Sequence, residues 1–188
     1  MKVLYNREAE GCEQDTVSVE LWQFQNGKIR MELPSGFGEM EEERKAFFFP
    51  YEKRPEMIME DRDEDVRLTL QFLENQKGDG DVYGAAAGVS RLVKEAFPQY
   101  GQSTLHLSEE GQLSAGWFLL YMEELQAEHM KTVFLPEEGM LMLLTVTYPE
   151  EKRAKWRELC RYIRKSVRVR ADGEETGGME CREKERQV

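Results

Sequence analysis

Trp117-Phe118-Leu119-Leu120-Tyr121-Met122 decides the architecture, because both of its alternating residue sets are apolar. Met140-Leu141-Met142-Leu143-Leu144 repeats the pattern. A strand that is apolar on both sides belongs in the middle of a sheet with each face covered. Two helices are available as covers. Asp81 is placed to cap a helix over about 82–97, with Ala86, Val89, Leu92, Val93 and Ala96 on one stripe. Pro149 suits the first turn of a second helix, which turns Trp156, Leu159, Cys160, Ile163 and Val167 inward. The remaining connections are short and hairpin-like, so the sheet is expected to be largely antiparallel. The fold class is therefore α/β of the α+β type, a three-layer α/β/α sandwich around one meandering sheet.

The other strands follow from period-two alternation. Val17, Val19 and Leu21 alternate with Ser18 and Glu20, and Ile29, Met31 and Leu33 alternate with Arg30 and Glu32. Asn26-Gly27 between them is a strong hairpin signal. Further strands are predicted over 56–60, 66–73, 104–107, 116–125, 129–135 and 140–148. Residues 1–16 show no usable periodicity and are expected to be a flexible segment. Residues 171–188 carry glycines among alternating charges and almost nothing apolar, which predicts a disordered tail. One folded domain over 17–170 remains.

Composition narrows the function classes. The 188 residues include 37 acids against 26 bases, a net charge of −11, which argues against a general nucleic-acid binder. The longest apolar runs fall far short of the ~20 residues a membrane span needs. Met1-Lys2-Val3-Leu4-Tyr5 leads straight into Asn6-Arg7-Glu8 with no signal-peptide core, and Cys12, Cys160 and Cys181 share no metal-like spacing. A cytoplasmic protein, monomeric or a weak dimer, without cofactor or metal, is expected.

The catalytic candidates are few. His106 and His129 read as surface or rim histidines, and no nucleophile elbow, zinc motif or Cys-x-x-Cys is present. Asp61-x-Asp63-x-Asp65 has Val66 where a calcium loop needs Gly, so it reads as a solvated turn. Residues 79–84 likewise read as a turn. No enzyme is expected.

Two features suggest binding instead. From Lys152 to Arg170 there are nine bases and one acid. Such a helix is either a solvated face, a docking stripe for an anionic partner on Arg153, Arg157, Arg161 and Arg164, or a surface neutralised by the acidic tail. The second feature is Phe47-Phe48-Phe49-Pro50-Tyr51. Three consecutive Phe residues cannot share one face of a strand, and Pro50 and Pro55 bound a stiff, extended segment suited to a sheet edge. Phe47, Phe48, Tyr51 and Arg54 are the candidate binding residues of that edge.

Ile29-Arg30-Met31-Glu32-Leu33-Pro34-Ser35-Gly36-Phe37, a strand closing in Leu-Pro-x-Gly-Phe, resembles the opening of PsbP-like domains. Residues 49–55 and the closing segment from Tyr148-Pro149 through Trp156, Ile163 and Ser166-Val167-Arg168-Val169 are also similar to this superfamily. The resemblance spans about 17–170. It implies an antiparallel sheet between helices and a non-enzymatic role as adaptor, assembly factor or chaperone. The expected function is a protein-binding module with a protein partner. The alternative is a carrier of a small hydrophobic ligand, resting on the Phe- and Met-rich interior.

Overall fold

The structure, a computed structural model, describes residues 2–4, 17–74, 81–137 and 139–170. The acidic tail, Cys12, Cys181 and the 79–80 portion of the 79–84 turn lie outside these residues. The described residues form two antiparallel sheets. The smaller runs β1 (Lys2–Leu4), β2 (Ser18–Phe24), β3 (Ile29–Pro34) and β12 (Arg168–Val169) in that spatial order. The larger is built from β4 (Gly38–Glu39), β5 (Met57–Asp61), β6 (Val66–Glu74), β7 (Gly101–Gln102), β8 (His106–Ser108), β9 (Ala115–Met122), β10 (Ala127–Glu137) and β11 (Met140–Pro149). Its order is β4-β5-β6-β11-β10-β9-β7, with β8 also paired to β9. Among the described residues there are three α-helices: α1 (Glu42–Phe48), α2 (Val82–Ala96) and α3 (Arg153–Ser166).

Both strands apolar on two sides are interior to the large sheet. β11 lies between β6 and β10, and β9 between β10 and the short pieces β7 and β8. The layering and antiparallel pairing stand as expected. One detail differs. The hairpin at Asn26-Gly27 does not join the large sheet but forms its own, with a four-residue turn in which Gln25, Asn26 and Gly27 all have positive φ. Period-two alternation fixes which residues share a face, not which sheet the strand enters. Lys2–Leu4, inside the segment expected to be flexible, pair with β2.

The inner face of the large sheet carries the main core. Leu68, Leu70, Leu119, Met130, Phe134, Met142, Leu144 and Tyr148 pack there with Trp156, Cys160 and Ile163 of α3 and with Ile29, Met31 and Leu33 of the hairpin. The Leu-Pro-x-Gly-Phe segment serves this core. Phe37 meets the Trp156 ring edge-on at 5.8 Å, and a Cβ on Gly36 would collide with the Asp61 carboxylate.

The outer face is covered by α2 at one end. Asp81 caps that helix by accepting a hydrogen bond from the Tyr83 N–H at 3.0 Å. The sequence Gly84-Ala85-Ala86-Ala87-Gly88 permits a close approach to β9, where a side chain on Gly116 would run into the Ala86 methyl. Ala85, Ala86 and Val89 cluster with Val133, Leu141 and Leu143. At Ser90 the helix is still tied to the sheet, its carbonyl accepting from Gln102 Nε2 of β7 at 3.2 Å, whereas Leu92, expected inward, is 60% exposed.

Candidate binding face

α1 corrects the reading of the Phe47–Tyr51 segment. Instead of an extended edge strand, residues 42–48 form a short helix, held by ion pairs from Lys45 to Glu39 and Glu42 (3.1 and 3.0 Å). The helix is anchored on the outer face of the large sheet from the side opposite α2. Arg44 grips buried Glu60 of β5 through Nε at 2.9 and 2.8 Å, and Arg62 reaches the same carboxylate at 3.0 Å. Phe48 lies against the guanidinium groups of Arg67 (4.3 Å) and Arg44 (5.2 Å). Phe47 and Tyr51 are 78% and 73% exposed. Arg54 folds back on this segment, donating to the Phe49 carbonyl at 2.9 Å and pairing with Glu42 at 3.3 Å.

Between α1 and α2 the sheet presents rows of residues set by strand register. In one row Leu120 of β9 is opposite His129, His129 opposite Thr147, Thr147 opposite Arg67, and Arg67 opposite Glu60. The next row runs Phe118, Lys131, Thr145, Thr69 and Ile58. The third row, with Gly116, Val133 and Leu143, falls under the α2 cluster, and at the end of the first row Gln102, paired with Leu120, bonds Ser90 of the same helix. The middle of the outer face thus sets half-buried His129, Lys131, Thr147 and Arg67 among buried Phe118, Leu120, Ile58, Thr69 and Thr145.

His129 is not a rim residue. It is half-buried on a mid-sheet strand, and burial, reinforced by nearby Lys131 and Arg67, pushes its pKa down to about 3. Lys131 is half-buried too. Its Nζ donates to Thr145 Oγ1 at 3.3 Å and has no carboxylate partner among the described residues. Burial brings its pKa down to about 8.

The His129 shift has a consequence for stability. The unfolded chain takes up a proton near pH 6.5, whereas folded His129 stays neutral until about pH 3. The unfolded state therefore binds more protons in that window, and stability is lost as pH falls through it. At pH 5 this one group costs up to about 2 kcal/mol relative to neutral pH. Urea midpoints at pH 7 and pH 5 should separate less for His129→Gln than for the parent. An equal separation would show that His129 titrates normally.

The four candidate arginines of α3 are engaged within the protein. Arg157 holds Glu128, 2% exposed, through Nε at 3.0 Å and Nη2 at 2.8 Å. Arg161 bonds Glu110 through Nε at 2.9 Å, and Lys165 pairs with the same carboxylate at 3.0 Å, which holds it down to about 2. Arg153 pairs with Glu150 at 3.3 Å. Arg164 is buried, its guanidinium 4.8 Å from the Trp117 ring centroid and its Nη1 3.5 Å from the Met130 sulfur. Glu128 and Glu110 come from a distant strand and loop, so spacing within the helix gave no sign of them. Cys160 is on the buried face of this helix, and burial pushes its thiol up to about 12. His106 stacks on Trp117 at 4.4 Å.

Lys131, Thr145, Thr147, Thr69 and Arg67 were not singled out by the sequence reading. The available signal was the alternation of His129 and Lys131 with Met130 and Thr132 along a strand flanked by apolar neighbours. No helix among the described residues is long and apolar enough to cross a membrane.

No protein-family model matches the chain, and no curated protein matches it in sequence. Solved structures do match in shape. Cyanobacterial PsbP (CyanoP) from Synechocystis sp. PCC 6803 superposes with a TM-score of 0.59 at 13% identity, covering 88% of this chain and 98% of that one. A protein from Bacteroides thetaiotaomicron VPI-5482 superposes with a TM-score of 0.53 at 11% identity, covering 82% of this chain, which spans 49% of its length. An antiparallel α+β sandwich opening in Leu-Pro-x-Gly-Phe, superposable on CyanoP over nearly all of that protein, has a PsbP-like fold.

Proposed function

We propose that this chain is a non-enzymatic protein-binding module, adaptor- or chaperone-like, that receives an extended segment of a protein partner on the outer face of the large sheet. One observation supports the reading: Lys131 is half-buried at mid-sheet with no carboxylate partner among the described residues, while Phe47 of α1, Tyr51 just after it and Leu92 of α2 are exposed. Apolar side chains of that size left in water, and an ammonium without a carboxylate, suit a partner that supplies both apolar and polar groups. The carrier alternative finds the Phe- and Met-rich interior occupied. Met31, Met59, Phe134 and Met142 are fully buried in one packed core.

The test compares captures from cells that produce the protein, using the parent chain and a Phe47→Ser/Leu92→Glu variant as baits. Both substitutions alter exposed side chains, so both baits should fold alike. One stoichiometric protein retained by the parent and lost by the variant is the expected result. Equal retention by both would overturn this choice of face.

A further inference from the structure

We propose that Lys131 is the point at which the outer face recognises a carboxylate, an Asp or Glu side chain set among apolar residues in the bound segment. This rests on the protein-binding reading above and names the chemistry of the partner.

The argument starts from what surrounds the ammonium group. Lys131 is on β10 at mid-sheet, with Phe118 on one side and Thr145 on the other. An ammonium has three protons to donate. The Thr145 hydroxyl at 3.3 Å takes one, and among the described residues no carboxylate comes within ion-pairing distance. The acid on the neighbouring row is unavailable: Glu60 is held by Arg44 and Arg62. The other groups facing this point are His129 and Arg67, a neutral ring and a cation, and the Arg67 guanidinium already lies against Phe48 and pairs with Asp65 at 3.4 Å. Half-burying an ammonium without an opposite charge is unfavourable, and the cost is relieved when an anion docks. The buried hydroxyls of Thr69 and Thr145 share the Lys131 row and the half-buried Thr147 is on the next, while α1 and α2, on opposite sides of this face, each carry an exposed apolar side chain, Phe47 and Leu92. Charge and shape together call for an acidic residue in an apolar context.

The probe is a displayed library of random dodecapeptides selected against the immobilised full chain, followed by titration of the strongest synthetic peptide. Selected sequences are expected to share one Asp or Glu flanked by apolar residues. That peptide should bind Lys131→Met about 10- to 100-fold more weakly than the parent, the loss expected when a charge-assisted hydrogen bond is removed. Replacing its acidic residue by Asn or Gln should weaken binding to the parent by a similar factor and leave binding to Lys131→Met unchanged. Lys131→Met should melt at or above the parent's temperature, so that lost binding is not lost folding. Peptides without an acidic position, or equal binding by the two proteins, overturn the carboxylate assignment alone. Failure to select any peptide overturns the protein-binding reading, and the assignment with it.

Discussion

Replacing Arg157 by Ala is expected to remove about 3 kcal/mol of folding stability, the lower end of the range for breaking a buried ion pair. Glu128 is on the inner face of the large sheet, 2% exposed, and its carboxylate receives two hydrogen bonds from Arg157 and one from the Tyr148 hydroxyl at 3.1 Å. Without the guanidinium a buried carboxylate keeps one neutral donor. Arg157 itself is 41% exposed, which places the loss at the lower end rather than the upper. Making the site apolar, with Glu128→Met added to Arg157→Met, should recover a large part of the loss because no charge is then stranded. Urea unfolding checks both. A loss below ~0.5 kcal/mol, the level of an exposed pair, would mean that Arg157 is free to serve a partner. The outcome therefore decides whether α3 is structural or a docking stripe.

Trp156→Ala is expected to cost about 3–5 kcal/mol. The indole is 1% exposed, edge-on to Phe37, and stacked on Tyr148 at 6.5 Å. Its Nε1 donates to Glu64 Oε2 at 3.5 Å. One side chain thus joins α3, β11, the 61–65 turn and the loop that follows β3. Domains of this size have about 5–15 kcal/mol in total, so the variant retains little margin, and its melting temperature should fall by ~10 °C. Trp156→Phe keeps most of the volume and should lose less than half as much. Thermal unfolding of the three proteins checks the order. Near-equal melting temperatures would show that the inner core does not depend on this contact.

Much of the fold was legible because local signals agreed with one another. Asp81 caps α2, Pro149 opens the turn that leads into α3, and the apolar runs at 117–122 and 140–144 form interior strands. α1 was not legible. Its aromatic residues favour strands, and the helix is held by ion pairs to Glu39 and Glu60, contacts that only the fold creates. The separate hairpin sheet escaped for a related reason, since alternation carries no record of which sheet a strand joins. The binding face was half-legible. Alternation places His129 and Lys131 together, but the sequence does not show that the apolar cluster under α2 takes in Val133, Leu141 and Leu143 and not these two. The ion pairs of Arg157 and Arg161 were not legible because their acids, Glu128 and Glu110, are far from the basic run in sequence.

Amide hydrogen exchange of the full chain, alone and saturated with the strongest selected peptide, asks where the partner sits. Slowed exchange confined to β6, β10 and β11 around the His129 and Lys131 rows, with α1 and the C-terminal half of α2, is the expected pattern. Slowing concentrated on α3 or the hairpin sheet, with the outer face unchanged, would contradict it.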